Sequence, residues 1–501
     1  MQKLARPPAE GITEAASARP TPAPPPLYVS HKTIHPKAVR GRYRRIKWAV
    51  LVVLLAVYYV LPWIRWDRGP GAPDQAVLLD LASQRFYLFA VELWPQQIYY
   101  LTGALILGAV GLFLATALAG RVWCGYACPQ TVWTDLFILV EQWVEGDRGA
   151  RIRLDNGPRN AAWFLKKTVK HAAWLLIGLV TGGVAIFYFA DAPTLAGELL
   201  RFDAPAVAVG WILFFTGCTY AMAGFMREQM CVYVCPWPRF QAAMLDEESL
   251  VVTYQDWRGE GRAPVRKDQS WEARKAEGLG DCIDCKACVH VCPTGIDIRD
   301  GIQMDCISCG LCIDACNDVM ARIGRPGDLI RYDTQAAQAA KAASRTPAPY
   351  RLVRPRTIVY TLILLTVAGM IAAGLMLKPA AGVTVLRDRA PLFVILADGR
   401  VQNSYTVKIS NMTRQPQTYR LAVSGIEGAT VAVAGADGPD GLELTAQPDA
   451  VETYRIHVRA RTQALAVPSI KLAFALTRAP DGAVLEAGTV FLAPPTRGEQ
   501  P

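Results

Sequence analysis

The amino-acid sequence predicts a multi-domain membrane protein: a five-helix transmembrane α-bundle with a cysteine-rich insert and a C-terminal immunoglobulin-like β-sandwich. Three observations predict it. Five apolar runs are long enough to cross a bilayer, two cysteine ladders repeat between the fourth and fifth runs, and the chain after Lys378 switches to period-two alternation. Composition agrees, since 52% of the 501 residues are hydrophobic and only 19% charged, too few to solvate a soluble surface of that size. The formal charge of +10 lies beside the apolar runs, which assigns it to membrane orientation; no nucleic-acid motif accompanies it. The 13 cysteines are an odd number, mostly at two- and three-residue gaps, a pattern of thiolate metal ligation in a reducing compartment and not of a secreted disulfide framework.

Residues 1–40 are rich in Pro and Ala, with no periodicity that could bury a core, and are expected to form a disordered cytoplasmic tail. Arg40, Arg42, Arg44, Arg45 and Lys47 then introduce the first apolar run, residues 46–64, an uncleaved anchor long enough for a ~30 Å hydrocarbon layer. Further runs at residues 98–119, 171–190 and 206–226 complete the first four spans within residues 41–226, and residues 357–377 form the fifth. Lys and Arg crowd the tail, residues 148–170, 227–274 and 351–356, which the positive-inside rule places in the cytoplasm. An odd number of spans then leaves the C-terminal segment outside. Residues 227–356 are thus expected as a cytoplasmic segment, with the cysteine ladders at about 275–330.

Cys282, Cys285, Cys288 and Cys292-Pro293 follow the spacing C-x-x-C-x-x-C-x-x-x-C-P, and Cys306, Cys309, Cys312 and Cys316 repeat it 24 residues later. Three close thiolates wrap one iron–sulfur cube while the fourth reaches the other cube of the pair. The spacing therefore predicts a 2[4Fe–4S] ferredoxin-like domain, with Cys282, Cys285, Cys288 and Cys316 on one cluster and Cys306, Cys309, Cys312 and Cys292 on the second. Zinc also uses Cys-x-x-Cys pairs, but eight thiolates in this tandem order are rare in zinc modules. Asn317 stands where a proline is expected after the last cysteine, at a position that is not a ligand.

Residues 378–501 alternate in strands such as Tyr405–Val407–Ile409, Tyr419–Leu421–Val423 and Tyr454–Ile456–Val458, separated by Gly- and Pro-containing turns. They predict a periplasmic immunoglobulin-like β-sandwich without cysteine, hence without a disulfide.

Two further pairs, Cys124/Cys128-Pro129 and Cys231/Cys235-Pro236, form an internal repeat just past the predicted cytoplasmic ends of spans two and four, each preceded by a basic residue, Arg121 or Arg227. Cysteines at i and i+4 share one helix face, and the proline tends to end the helix. Four soft sulfurs at one depth suit Cu(I), a further iron–sulfur centre or a dithiol couple, against the bland alternative of small buried residues. Cys218, Met222, Met226 and Met230 make a sulfur stripe toward Cys231, a pattern more often packing than metal path. His31, His35, His171, His290 and His457 are scattered; Trp94-Pro95-Gln96 and Arg85–Phe89, before span two, could contact a quinone or a partner, but such aromatics more often serve as interfacial anchors.

With these residues in view, the chain resembles the CcoG family, also called FixG or RdxA, of cytochrome c oxidase accessory proteins. The resemblance covers nearly the whole chain from about Arg40 and rests on the two Cys-x-x-x-Cys-Pro pairs, the tandem motif from Cys282 to Cys316, the segment from Phe86 to Gln96, the fifth span and the β-rich tail. It implies a multi-pass protein of the bacterial inner membrane that reduces Cu(II) to Cu(I) for assembly of cbb(3)-type cytochrome c oxidase. Two [4Fe–4S] clusters would pass electrons from a cytoplasmic donor to copper at Cys124, Cys128, Cys231 and Cys235. Implied partners are the lipid bilayer, copper ions, a copper transporter or chaperone and oxidase assembly factors; monomer and homodimer stay open. Quinol-dehydrogenase subunits of the NapH type look similar in the ferredoxin and Cys-Pro parts but lack the fifth span and sandwich. A quinol-linked electron-transfer subunit and a non-enzymatic assembly scaffold therefore remain as alternatives.

Overall fold

The structure, a computed structural model, describes residues 33–494 apart from 70, 267–268, 378, 436–441, 463–464, 466 and 480. Most of the expected tail lies outside the described residues. From Thr33 onward, however, the chain is packed and not free: the Lys37 N–H donates to the His290 carbonyl (2.8 Å), the Ala38 N–H to Asp147 Oδ1 (2.8 Å), and Arg148 Nη1 to the His35 carbonyl (2.8 Å). A segment poor in periodicity is ordered here by partners distant in sequence.

Among the described residues, five helices are long and apolar enough to span a membrane: Arg42–Trp63, Pro95–Ala119, Ala161–Phe187, Ala206–Val234 and Pro355–Met376. Spans three and four approach through small residues. A Cβ on Gly182 would meet the Ile212 carbonyl oxygen at 2.6 Å, so glycine there sets the backbone separation. Spans two and five meet the same way, with Gly103 under Ile371 and Gly374 under Tyr100. Span three starts ten residues before the expected position because Asn160 caps the helix, accepting from the Trp163 N–H at 2.9 Å. Lys166, Lys167 and Lys170 dilute that turn's hydropathy and hide it from an apolar-run criterion.

The cysteine ladders and the β-sandwich sit at opposite ends of the bundle. At one end a hairpin of Val77–Asp80, Arg85–Leu88 and Val91–Leu93 joins the bundle, where the Leu79 N–H meets the Tyr188 carbonyl, to the sandwich, where Arg85 pairs with Asp449 at 2.5 Å. The sandwich stacks two antiparallel sheets. One runs Thr430–Val433, Ala450–Arg461, Arg400–Asn411, Ala381–Arg387, with Val394–Ile395 also on Arg400–Asn411; the other runs Glu443–Ala446, Gln417–Ser424, Ser469–Arg478, Val484–Leu492. Period-two alternation buries Tyr405, Val407 and Ile409 of the first sheet against Tyr419, Leu421 and Phe474 of the second. Tyr405 closes the stack, its ring 5.1 Å from that of Phe474 and its hydroxyl on the Val490 carbonyl.

At the other end a compact domain closes on the two-stranded sheet Val251–Tyr254 with Ile330–Asp333 and the helices Ala287–Val291 and Leu311–Arg322. Arg354, at the start of span five, ties it to the bundle through Asp246 (2.5 Å) and the Ala117 carbonyl (2.7 Å).

Candidate functional site

The repeat in the cysteine ladders is conformational as well as chemical. Asp284 and Lys286 flank Cys285 with φ of 51° and 55°, and Ser308 and Gly310 flank Cys309 with φ of 52° and 73°. Left-handed residues on both sides of the middle cysteine turn successive backbone N–H groups inward, the concavity that cradles anions and iron–sulfur centres. A helix follows each loop, Ala287–Val291 and Leu311–Arg322, and presents the third cysteine.

The sulfurs sort into two neighbourhoods. Cys316 lies within charge range of Cys288, Cys282 and Cys285, while Cys312 lies within range of Cys309, Cys306 and Cys292 first and of Cys288 last. Each set therefore joins three cysteines of one ladder with the last cysteine of the other. Burial pushes the Cys288, Cys306 and Cys316 thiols up to about 12. Such sulfurs become thiolates only beside compensating positive charge, and all 13 cysteines are free. Eight soft donors in two crossed sets of four, each over a left-handed loop, fit two [4Fe–4S] clusters.

The two sets differ in access. Cys285 is exposed, whereas Cys309 is buried toward the bundle. Arg299, which carries no sequence signal, is buried beside the outer set: its Nη1 lies 3.8 Å from Cys282 Sγ, and Asp297 and Asp284 pair with it at 2.6 Å.

The Cys-x-x-x-Cys-Pro pairs depart from the expected α-helical geometry. Trp123–Ala127 and Met230–Val234 are each a single π-turn, closed by the Cys128 N–H on the Trp123 carbonyl and the Cys235 N–H on the Met230 carbonyl, both 2.8 Å. The terminal cysteine is extended in both, with ψ of 129° and 120°, as a residue before proline prefers. A widened turn is a frequent mark of a functional site in a helix.

The four sulfurs come together: Cys124 has Cys128, Cys231 and Cys235 in charge range, and burial pushes its thiol up to about 12. Its Sγ donates to Gln241 Oε1 at 3.0 Å, and Gln241, fully buried, donates to Thr116. Among the described residues no group of three or more His, Cys, Asp or Glu side chains is gathered as for a single metal ion. The sulfur stripe from Cys218 to Met230 runs through two further widened turns, Met222–Met226 and Met230–Val234.

The thiol site abuts the inner cysteine set. Cys124 shares an apolar cluster with Val291, Ile307, Cys309 and Leu311. A Cβ on Gly125 would fall 2.7 Å from the Ile307 carbonyl oxygen and 3.1 Å from Cys309 Cα, and the Tyr126 hydroxyl donates to the Cys309 carbonyl at 2.9 Å. Arg121, buried, reaches the Met304 and Cys306 carbonyls and, at 3.0 Å, the Pro238 carbonyl beside the second pair. Arg227 instead pairs with Glu141 at 2.6 Å.

The remaining residues singled out by sequence fall elsewhere. Trp94 is buried, with the Arg85 guanidinium 3.9 Å over its ring, and so belongs to the hairpin's joint with the sandwich. His457 meets Ser404 in the sandwich, His35 pairs with Asp155 (3.3 Å) and His171 meets Tyr220 (3.0 Å); His31 lies outside the described residues.

Fold and site together define a membrane iron–sulfur redox protein built on a helical bundle. Comparison with known proteins agrees: a family model described as "4Fe-4S dicluster domain" matches residues 226–335, "4Fe-4S binding domain" matches 101–149, and "IG-like fold at C-terminal of FixG" matches 371–494. The chain is 48% identical over 460 residues to the nitrogen fixation protein FixG of Rhizobium meliloti, covering 86% of this chain and 87% of that one. It is 48% identical over 439 residues to protein RdxA of Cereibacter sphaeroides, covering 87% and 91%. The chain belongs to the FixG/RdxA family. A solved FixG-related protein from Vibrio parahaemolyticus, 25% identical, covers 23% of this chain and 96% of its own, with a TM-score of 0.20.

Proposed function

We propose that the protein is a cupric reductase of the bacterial inner membrane, passing single electrons from its dicluster domain to Cu(II) at the thiols of Cys124, Cys128, Cys231 and Cys235. The observation that carries this reading is the packing of the Cys124–Gly125–Tyr126 turn directly on the loop from Ile307 to Cys309. When bound, the two [4Fe–4S] clusters supply one-electron storage, held by Cys282, Cys285, Cys288 and Cys316 on the outer side and by Cys292, Cys306, Cys309 and Cys312 on the inner. The exposed edge at Cys285 receives a soluble cytoplasmic donor. Each electron reduces one Cu(II) to Cu(I), and the four soft sulfurs favour the product because thiolates prefer the monovalent ion.

In this reading the Lys- and Arg-rich end of the bundle, with the clusters, faces the cytoplasm and the sandwich faces the periplasm. Cu(I) leaves through a transporter or chaperone toward assembly of a cbb(3)-type oxidase. The test is anaerobic purification, iron and sulfide analysis, then Cu(II) reduction followed with a Cu(I)-specific chelator. Dithionite-reduced native protein is expected to reduce Cu(II) rapidly, and the double variant Cys124→Ala/Cys231→Ala to keep its clusters and lose that rate. Equal rates in the two would remove copper from these thiols.

A further inference from the structure

Beside the thiol site, between the head of span three, the last turns of span four and the packed segment from Thr33, lies a cavity of about 890 Å³ that the copper reading does not use. Its aromatic walls come from Trp163, Phe164, Trp174 and Phe225. Phe164 and Phe225 are each 56% exposed and Leu175 44%, on helices that belong in lipid, so the side of the cavity that they form is apolar and open to the bilayer. The rest of the lining includes the polar side chains of His35, His171, Asp155 and Arg227.

The Lys and Arg side chains that line the cavity are each held by a carboxylate of the same lining. Lys167 pairs with Asp155 (2.7 Å) and Glu145 (2.9 Å), Lys170 with Glu145 (3.1 Å), and Arg227 with Glu141 (2.6 Å). With each cation held by a carboxylate, the site has no surplus charge for an anionic headgroup. It suits a neutral, planar ring with an apolar tail. Two polar devices flank the space for such a ring: His35, its Nε2 3.3 Å from Asp155, and His171, whose Nδ1 meets the Tyr220 hydroxyl and leaves Nε2 to meet a ligand. A histidine tied to a carboxylate is a proton acceptor well placed for a ring hydroxyl.

The far wall leads to the thiols. Arg227 and Glu228 also line a second, smaller cavity whose other walls include Cys231, Thr294 and Ile307. One pair of residues therefore separates the aromatic cavity from both the four-thiol site and the loop after Cys292.

We propose that this cavity binds the ring of a membrane quinol and that the quinol is a reductant for the four-thiol site. Oxidation breaks two O–H bonds: one proton passes to the His35–Asp155 pair, one to His171, and two electrons leave singly across the Arg227–Glu228 wall. Two Cu(II) ions become two Cu(I), and the ring departs as quinone into the lipid. The electron acceptor rests on the function proposed above; the binding of the ring does not.

The experiment uses the full-length holoprotein in phosphatidylcholine nanodiscs with decylubiquinone and decylubiquinol as probes. Decylubiquinone is expected to quench tryptophan fluorescence saturably at one site per chain. Ala172→Phe, which adds bulk to the lining without touching an ion pair, weakens its Kd at least about tenfold with cluster absorbance unchanged. His171→Phe still binds, but oxidises decylubiquinol at least about tenfold more slowly. Absence of saturable quenching, an equal Kd in Ala172→Phe, or a retained phospholipid that decylubiquinone does not displace would overturn the proposal. Ring binding without decylubiquinol-driven Cu(II) reduction would overturn the quinol as reductant where dithionite-reduced protein still reduces Cu(II), and would sink the copper reading instead where dithionite-reduced protein fails as well.

Discussion

The hydroxyl of Tyr126 donates to the backbone carbonyl of Cys309 over 2.9 Å, joining the first Cys-Pro turn to the loop of the inner cysteine set across 183 residues of sequence. Gly125, next to it, has no room for a side chain because its neighbours are backbone atoms of residues 307–309. Gly125→Ala must therefore push the two loops apart. Misplacing reacting groups by ~1 Å can cost about 100-fold in rate, so Gly125→Ala is expected to slow oxidation of the dithionite-reduced clusters by Cu(II) at least about tenfold while iron content stays native. Stopped-flow absorbance reads this directly, and an unchanged rate would mean that the contact does not carry the electron.

The crossed neighbourhoods of the ladders make a separate prediction. Cys316 sits with Cys282, Cys285 and Cys288, and Cys292 with Cys306, Cys309 and Cys312. Cys316→Ser should lower iron from about eight to about four per chain by damaging the outer cluster, and Cys292→Ser by damaging the inner one. Paramagnetic resonance of the reduced variants is expected to show two different surviving signals, each without the spin coupling of the pair. Loss of the same signal from both variants would refute the crossing.

What the sequence made legible was local periodicity. Apolar runs reveal the spans, alternation reveals Tyr405, Val407 and Ile409 as one sandwich face, and fixed gaps reveal the two ladders. What stayed hidden depends on contacts far apart in the chain. The spacing of Cys124 and Cys128 suits an α-turn as well as a π-turn, and the widening becomes visible only in the Cys128 to Trp123 hydrogen bond. Gln241 and Arg299 look ordinary in sequence and matter because folding buries them against cysteines. The segment after Thr33 has no pattern of its own and is ordered by His290, Asp147 and Arg148.

Asp135, on the helix Pro129–Val144, anchors the base of span one. It is buried, 2.9 Å from Arg44 Nη1 and 3.5 Å from Lys47 Nζ. Burial pushes its carboxyl up, but Lys47 and Arg44 outweigh that and hold it below the usual range. A folded-state pKa below the unfolded one means that the stabilisation is complete above the unfolded value, ~3.9, and is lost as pH falls through the folded value. Asp135→Asn leaves two cations without their shared partner and is expected to cost about 3–5 kcal/mol at neutral pH. Thermal unfolding in detergent should show that gap narrowing below about pH 4 as the native carboxyl protonates. A gap independent of pH would assign the loss to packing alone.

Arg85 holds the hairpin and the sandwich as one unit. Its Nη1 lies 2.5 Å from Asp449 Oδ2, its Nη2 donates to the Asp449 carbonyl at 2.7 Å, and its guanidinium stacks on the buried Trp94. A second bridge, Arg414 to Glu92 at 3.1 Å, joins the same two elements. Removing Arg85 costs a partly buried ion pair and a cation–π contact together, and the stacked contact alone is worth up to ~2 kcal/mol once desolvated. Arg85→Ala is therefore expected to leave the clusters and the sandwich folded, yet to speed limited proteolysis between span five and the sandwich by about tenfold or more. Arg85→Lys should recover only part of the protection, since a lysine keeps the charge but cannot bond Asp449 twice while lying flat on the indole. Full protection in Arg85→Lys would assign the joint to charge alone, and full protection in Arg85→Ala would show that the second bridge suffices.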